Sequence, residues 1–283
     1  MLRLADGDEL VGVAALRCDD AGVVSFLGSR EVTDYPGPVV APGRGAVAAR
    51  ALLEALGVAF PGWRRLRVDN ARPQDGFADA LQAAAGSAGL GVRAGDDEPV
   101  PVLVLPASVE RYREGLRGHP RHELARKRRR LKRERPGAVL RSADAASLED
   151  DLATFFALHR RAGGPKGSFL SPAIERYMRE VAAAMLERGV LRLDLLETAD
   201  AADTPPLAAT LGFQTRETFY LYNMAFDPAA GALSPGICLV AALVERAIGD
   251  GLARFDFLRG RERYKLELGG EPAPLRRVEV TAG

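Results

Sequence analysis

Apolar side chains return every three or four residues after Pro235: Val240, Leu243, Val244, Ala247 and Ile248 fall on one side of a helical wheel. Ser234 is expected to cap this helix, its hydroxyl accepting a free N–H of the first turn, with Pro235 in the first position, where a missing donor costs nothing. Gly249 and Gly251 end it. ARFDFL then reads as a short apolar strand carrying one carboxylate, Asp256, followed by a polar loop up to Lys265. Before the helix, FYLYNMAF is a strand in which Tyr220 and Tyr222 alternate with Leu221 and so share a side.

The same patterns organise the rest of the chain. ELVGVAALRC and GVVSFLGS form a hairpin around Asp19-Asp20-Ala21-Gly22. A helix over 46–60, the strand WRRLRVDN with Trp63, Leu66 and Val68 inward, a helix in DGFADALQAAAGSAG with Asp75 near its cap, and the run EPVPVLVLP complete a first domain, 1–105. The second domain, 106–283, opens with a helix capped by Ser108. A basic helix to Glu134, the strand AVLRSAD, helices over 148–161 and 173–188 and a strand meander to Phe226 follow. Both halves run hairpin or strand, helix, strand, which predicts an α/β (α+β) fold in two similar domains.

With 47% hydrophobic and 27% charged residues, the chain has the composition of a globular protein. No apolar run approaches the ~20 residues that span a bilayer. MLRLADGDEL lacks the basic start and apolar core of a secretion signal, so the cytoplasm is the expected compartment. Cys18 and Cys238 are too few for a disulfide framework, and His119, His122 and His159 lack metal-ligand spacing, so no metal is expected. His159, at the end of LHRR, reads as a helix C-terminal cap partner.

A net charge of +1 gives the whole protein no case for nucleic acid, but RHELARKRRRLKRER is a local basic helix. Leu124 and Leu131 mark its buried side, and Arg126, Arg129, Lys132 and Arg133 share another. It is either a solvated helix with a core seam or, from Arg126 to Arg133, a platform for tRNA phosphates. It has no interleaved aromatic residues to stack bases.

The start of the helix at Ser234 lies where a strand hands over to a helix. Free N–H groups and the positive dipole end make Leu233, Ser234, Pro235, Gly236 and Ile237 a candidate phosphate cradle, or simply a cap. The surrounding blocks, Phe226-Asp227-Pro228, Ser234-Pro235-Gly236, Phe255 to Gly260 and Tyr264-Lys265, resemble in their order the C-terminal half of GNAT-type acyltransferases. The branch they resemble is the CelD-like acetyltransferases, related to the Fem-type peptidyltransferases. That resemblance implies tandem GNAT-like domains with a mixed, mostly antiparallel sheet flanked by helices, the first domain shortened. It also implies acyl transfer from acyl-CoA, such as acetyl-CoA, to an amine held between the lobes. AAGALSPG departs from the usual GNAT phosphate-loop pattern, so an aminoacyl-tRNA donor stays open, as does a non-catalytic module binding saccharide or peptidoglycan precursor.

Acyl transfer needs an aligned neutral amine, a donor to the oxyanion and a proton or positive neighbour for the leaving group. The resemblance puts Lys265, after Tyr264, at the reacting ester; the alternative is an outward lysine on a KLELGG strand. Asp256 is expected either to accept a proton or to pair with Arg254 or Arg259. Tyr222 and Tyr220 either line a substrate channel, with a phenol able to act as acid, or reflect β-propensity alone. Arg259 and Glu262 belong to a polar loop suited to substrate recognition. Asp34-Tyr35 matches a pair found in the first unit of CelD-like proteins, or is a turn.

Overall fold

The computed structural model describes residues 1–28, 32–116, 118–162, 170–198 and 205–283. They form two compact units, one of Met1–Val100 with Pro272–Gly283 and one of Pro101–Glu271. The division therefore lies a few residues before 105, and the C-terminal segment folds with the first unit instead of closing the second. The reason is apolar burial: in the terminal strand, Glu271–Thr281, Val278 and Val280 turn into the first unit's core.

In that unit β1 (Leu2–Asp6), which hydrophobic alternation did not reveal, pairs antiparallel with β2 (Glu9–Ala14). β3 (Leu16–Cys18) and β4 (Val23–Phe26) form the expected hairpin. Asp19 Oδ1 holds its turn by accepting the Ala21 and Val23 N–H groups at 3.0 and 2.8 Å. The two-residue strand β5 (Val39–Val40) adds to β2. β6 (Arg65–Ala71) runs parallel to β4 and antiparallel to the terminal strand. Helices α1 (Gly45–Ala59) and α2 (Phe77–Ser87) bury Leu52, Leu56 and Leu81 against Leu66 and Val68. Asp75 lies in a 3-10 turn and Gly76 occupies the cap of α2, with no side-chain capping bond.

Strand β7 (Gly91–Val104) carries the chain into the second unit. There follow α3 (Val109–Gly115), α4 (His119–Glu134), β8 (Ala138–Ser142), α5 (Leu148–Arg161), α6 (Pro172–Glu187), β9 (Leu191–Thr198), β10 (Ala208–Gln214), β11 (Thr218–Phe226), α7 (Pro235–Gly249), β12 (Arg254–Asp256) and α8 (Arg263–Glu267). Ser108 caps α3 by accepting the Arg111 N–H at 3.3 Å, as its position predicts. The strands stand in the order β7-β12-β11-β10-β9-β8, antiparallel except for β11 against β12. On one face α7 packs Leu239, Val240, Leu243 and Val244 against Phe219 and Phe255. On the other, α5 packs Leu152, Phe155 and Phe156 against Leu193, Leu195 and Leu211. α7 is buried well beyond the predicted stripe, including Cys238, Leu239 and Ala241. Near its end Arg246 forks onto the fully buried Asp194 at 2.8 and 2.7 Å. Among the described residues no helix is long and apolar enough to cross a membrane.

Candidate functional site

β11 and β12 run parallel in register only from Thr218↔Arg254 to Tyr220↔Asp256. β12 stops there while β11 continues to Phe226, so from Leu221 onwards β11 has no strand beside it on that edge among the described residues. Its other edge is irregular. Leu211 faces Asn223 but Phe213 faces Tyr220, so β11 spends one more residue than β10 over that interval, which is a bulge. The bulge inverts the side-chain phase. Phe219 and Leu221 enter the cluster under α7, and so do Met224 and Phe226, while Tyr222 and Ala225 face the α5 side. Asn223 Oδ1 accepts the Met224 N–H at 2.8 Å within this stretch.

The chain leaves β11 through a 3-10 turn, Pro228–Leu233, capped by Asp227, whose Oδ1 accepts the Ala229 N–H at 3.0 Å. Ser234 does not cap α7 through its hydroxyl as expected. It adopts the left-handed conformation (φ 52°, ψ 48°) and makes no side-chain capping bond, because a capping hydroxyl is aimed by an extended residue. Pro235 has no N–H, and among the described residues the Gly236 and Ile237 N–H groups meet no acceptor. Leu233, Pro235 and Gly236 are buried, whereas Ser234 and Ile237 are half-buried. A Cβ on Gly236 would lie 2.6 Å from Met224 Sδ, so glycine is what lets the helix start press against β11.

Beyond β12 the structure departs from a polar loop reaching to Lys265, and from the alternative of an outward KLELGG strand. Tyr264 and Lys265 belong to the short helix α8, which an Arg263–Glu267 ion pair at 2.7 Å braces one turn apart. Lys265 is 4% exposed. Its Nζ donates to the carbonyls of Arg259 at 2.6 Å and Leu258 at 3.3 Å and is 3.1 Å from Glu262 Oε2. Asp256 is also buried, and its Oδ1 accepts the Leu258 N–H at 2.8 Å. Leu258 itself has φ 54°, a costly conformation for a branched side chain. Gly260 has φ 121°, and a Cβ there would meet Glu262 and Lys265 at 2.2 and 2.8 Å. Burial, and next the Glu262 charge, push the Tyr264 phenol pKa well above its usual value.

The fold thus brings Tyr220, Asp256, the Arg259–Glu262 segment and Lys265 to the end of β12, and Leu233 to Ile237 to the end of β11. Tyr222 stacks its edge on Phe213 at 5.6 Å on the α5 side. Asp34 and Tyr35 belong to the first unit, where the Arg72 guanidinium lies 4.9 Å from the Tyr35 ring centre. Arg254 pairs loosely with Glu217, at 4.0 Å. His159, in the last turn of α5, is buried on the Phe155 ring at 4.9 Å. Asn223, Met224, Leu258 and Gly260 carry much of the local geometry, and none of them was singled out for it in the sequence.

On the basic helix α4, Leu124 and Leu131 are buried as expected, and Arg126, Arg129, Lys132 and Arg133 are exposed. Glu123 takes Arg126 at 2.8 Å and Lys127 at 3.6 Å. Glu245 of α7 takes Arg128 at 2.6 Å and Arg113 at 2.8 Å. Burial raises the Glu245 pKa, but the bonds from Arg113 and Arg128 outweigh it and hold the carboxyl below its usual range. Among the described residues no three His, Cys, Asp or Glu side chains gather as metal ligands.

The family model of the acetyltransferase (GNAT) domain matches residues 118–266. No curated protein matches the chain. Among solved structures, FemX is similar with a TM-score of 0.65 and 15% identity, covering 98% of this chain and 86% of its own. A conserved protein of unknown function from Bacteroides thetaiotaomicron is similar with a TM-score of 0.61 and 11% identity, covering 92% of this chain and 79% of its own. At such identities both speak for the fold alone.

Proposed function

Because this chain belongs to the GNAT acetyltransferase-domain family, we propose that it moves an acyl group from acyl-CoA to an amine. The observation that carries this reading is the parting of β11 from β12 next to the unpaired Gly236 and Ile237 N–H groups. The open edge of β11 offers main-chain donors and acceptors to an extended amide-bearing arm. The start of α7 offers N–H groups and dipole to a diphosphate. In this reading backbone N–H groups and the helix dipole carry that contact.

In the reaction the neutral amine attacks the thioester carbonyl, and a main-chain N–H at the β11 bulge holds the developing oxyanion. Asp256 is the proposed acceptor of the amine's surplus proton. The leaving thiolate takes a proton from a phenol, Tyr222 or Tyr264; burial keeps Tyr264 protonated and able to donate. Lys265 acts by fixing the Leu258 and Arg259 carbonyls and the Glu262 carboxylate, since its own hydrogens are engaged there. Tyr220, Arg259, Glu262, Asp34 and Tyr35 remain proposed acceptor-recognition residues. Acetyl-CoA should raise the melting temperature, and an amine panel should release free thiol. Absence of both would overturn the reading.

A charged-tRNA donor is the second reading, favoured by the exposed Arg126, Arg129, Lys132 and Arg133 on α4. It requires tRNA binding that weakens steeply with salt and with Arg129→Glu/Lys132→Glu. If acetyl-CoA binds and that double variant leaves turnover unchanged, the CoA reading stands.

A further inference from the structure

Helices α3 and α4 meet over a cavity of about 360 Å³. Among the described residues, none that lines it comes from β11, β12 or the start of α7. Its walls follow from helical spacing. Arg121, Leu124, Ala125 and Arg128 stand three and four residues apart, which puts them on one face of α4. Arg113 and Leu116 come from the last turn of α3 and the residue that ends it. Leu116 and Leu124 are buried members of the core beneath, so the bottom of the cavity is apolar. The three arginines stand around it, more open to solvent.

Among the described residues no carboxylate lines the cavity. Glu245 of α7 lies behind it, shared by Arg113 at 2.8 Å and Arg128 at 2.6 Å. That carboxylate engages Nε and Nη2 of Arg113 and Nη1 of Arg128, so their remaining nitrogens are not spent on it. Glu110, one turn before Arg113, adds a second, exposed carboxylate. Glu123 is taken up by Arg126 and Lys127. Arg121 has no ion-pair partner among the described residues, and the first turn of α4 holds no acidic residue. Two carboxylates against three guanidiniums leave a surplus of one positive charge, which suits a monoanion better than a dianion. A guanidinium's planar fork matches a carboxylate, two N–H donors to two oxygens. The apolar bottom asks for an apolar body behind that head, and the volume is that of a small-molecule pocket.

We propose that this cavity binds a small monocarboxylate, its head on the arginines and its apolar body on Leu116, Leu124 and Ala125. The proposal stands apart from acyl transfer and is tested without it. The full chain is titrated calorimetrically at low salt, where charge contacts are least screened, with 4-phenylbutyrate as the probe. Of the controls, 4-phenylbutylamine keeps the body and reverses the charge, acetate keeps the head without the body, and phenyl phosphate carries a second charge. The probe should bind about tenfold or more tighter than each control. Arg121→Gln should weaken it several-fold with melting unchanged, since that side chain is exposed. Ala125→Glu, which sets a carboxylate among the arginines, should abolish it. Arg133→Gln removes the same charge further along α4, outside the cavity, and should leave the affinity as it was. No binding of 4-phenylbutyrate, equal or tighter binding of any control, an unmoved affinity in Arg121→Gln or Ala125→Glu, or an equal loss in Arg133→Gln overturns the proposal.

Discussion

Lys265 Nζ lies 2.6 Å from the Arg259 carbonyl oxygen, so a buried ammonium ties the segment after β12 back onto α8. The same cation meets Leu258 O and Glu262. A charge so placed is kept in the interior by its partners, and its removal strands them. Lys265→Met is expected to lower stability by about 1–3 kcal/mol, the cost of leaving buried polar groups unpaired, and to reduce acyl transfer with it. Urea unfolding and thiol release on one preparation check this. Lost turnover with an unmoved unfolding midpoint would instead put the ammonium in the chemistry.

Gly236 sets the distance between the start of α7 and Met224. Ala favours helix by about 1 kcal/mol over Gly, but its Cβ must displace Met224, the movable end of a flexible side chain. Gly236→Ala should therefore change stability by less than about 1 kcal/mol while lowering acetyl-CoA affinity several-fold. Thermal melting with and without acetyl-CoA separates the two effects.

The Arg246–Asp194 pair crosses from α7 to β9, with Asp194 fully buried. Arg246→Met leaves that carboxylate without its fork and should cost about 3–5 kcal/mol. Arg246→Met/Asp194→Leu should recover much of the loss, because no buried charge then remains. Denaturant midpoints of the single and double variants test this.

Alkaline pH should weaken the fold through its buried phenols. Burial raises the pKa values of Tyr112 and Tyr264 above the usual value of about 10. The unfolded phenols ionise first as pH rises, so the unfolded state binds fewer protons and stability falls above about pH 10. Below that pH both states are protonated and the contribution is fully present. Tyr264→Phe should flatten part of the decline in melting temperature between pH 9 and 11, and an unchanged slope would contradict the assignment.

Local repetition explains why so much of the helical framework was legible beforehand. α5 runs over the residues its apolar spacing predicts, Ser108 caps α3, and Leu124 and Leu131 are the buried side of α4. The four blocks from Phe226 to Lys265 carried the family, since their order survives without coordinates. Less of the candidate site was legible. Ser234 looked like a side-chain cap because the residue type favours one, yet its conformation is set by the 3-10 turn before it. The resemblance put Lys265 at the reacting ester, with an outward lysine on a KLELGG strand as the alternative; the sequence carried no sign of helix α8, which turns the side chain inward to carbonyls several residues back.

The chain's own order of apolar, glycine and proline residues determined which segments coil, which extend, and where a helix starts with free main-chain N–H groups at Gly236 and Ile237. Tertiary packing decided the rest: the extra residue in β11 that inverts its faces, the parting from β12 after Tyr220, and the return of the terminal strand to the first unit. These depend on partners distant in sequence. A strand's register and a buried ion's pairing are settled by what lies opposite, and no local period records that.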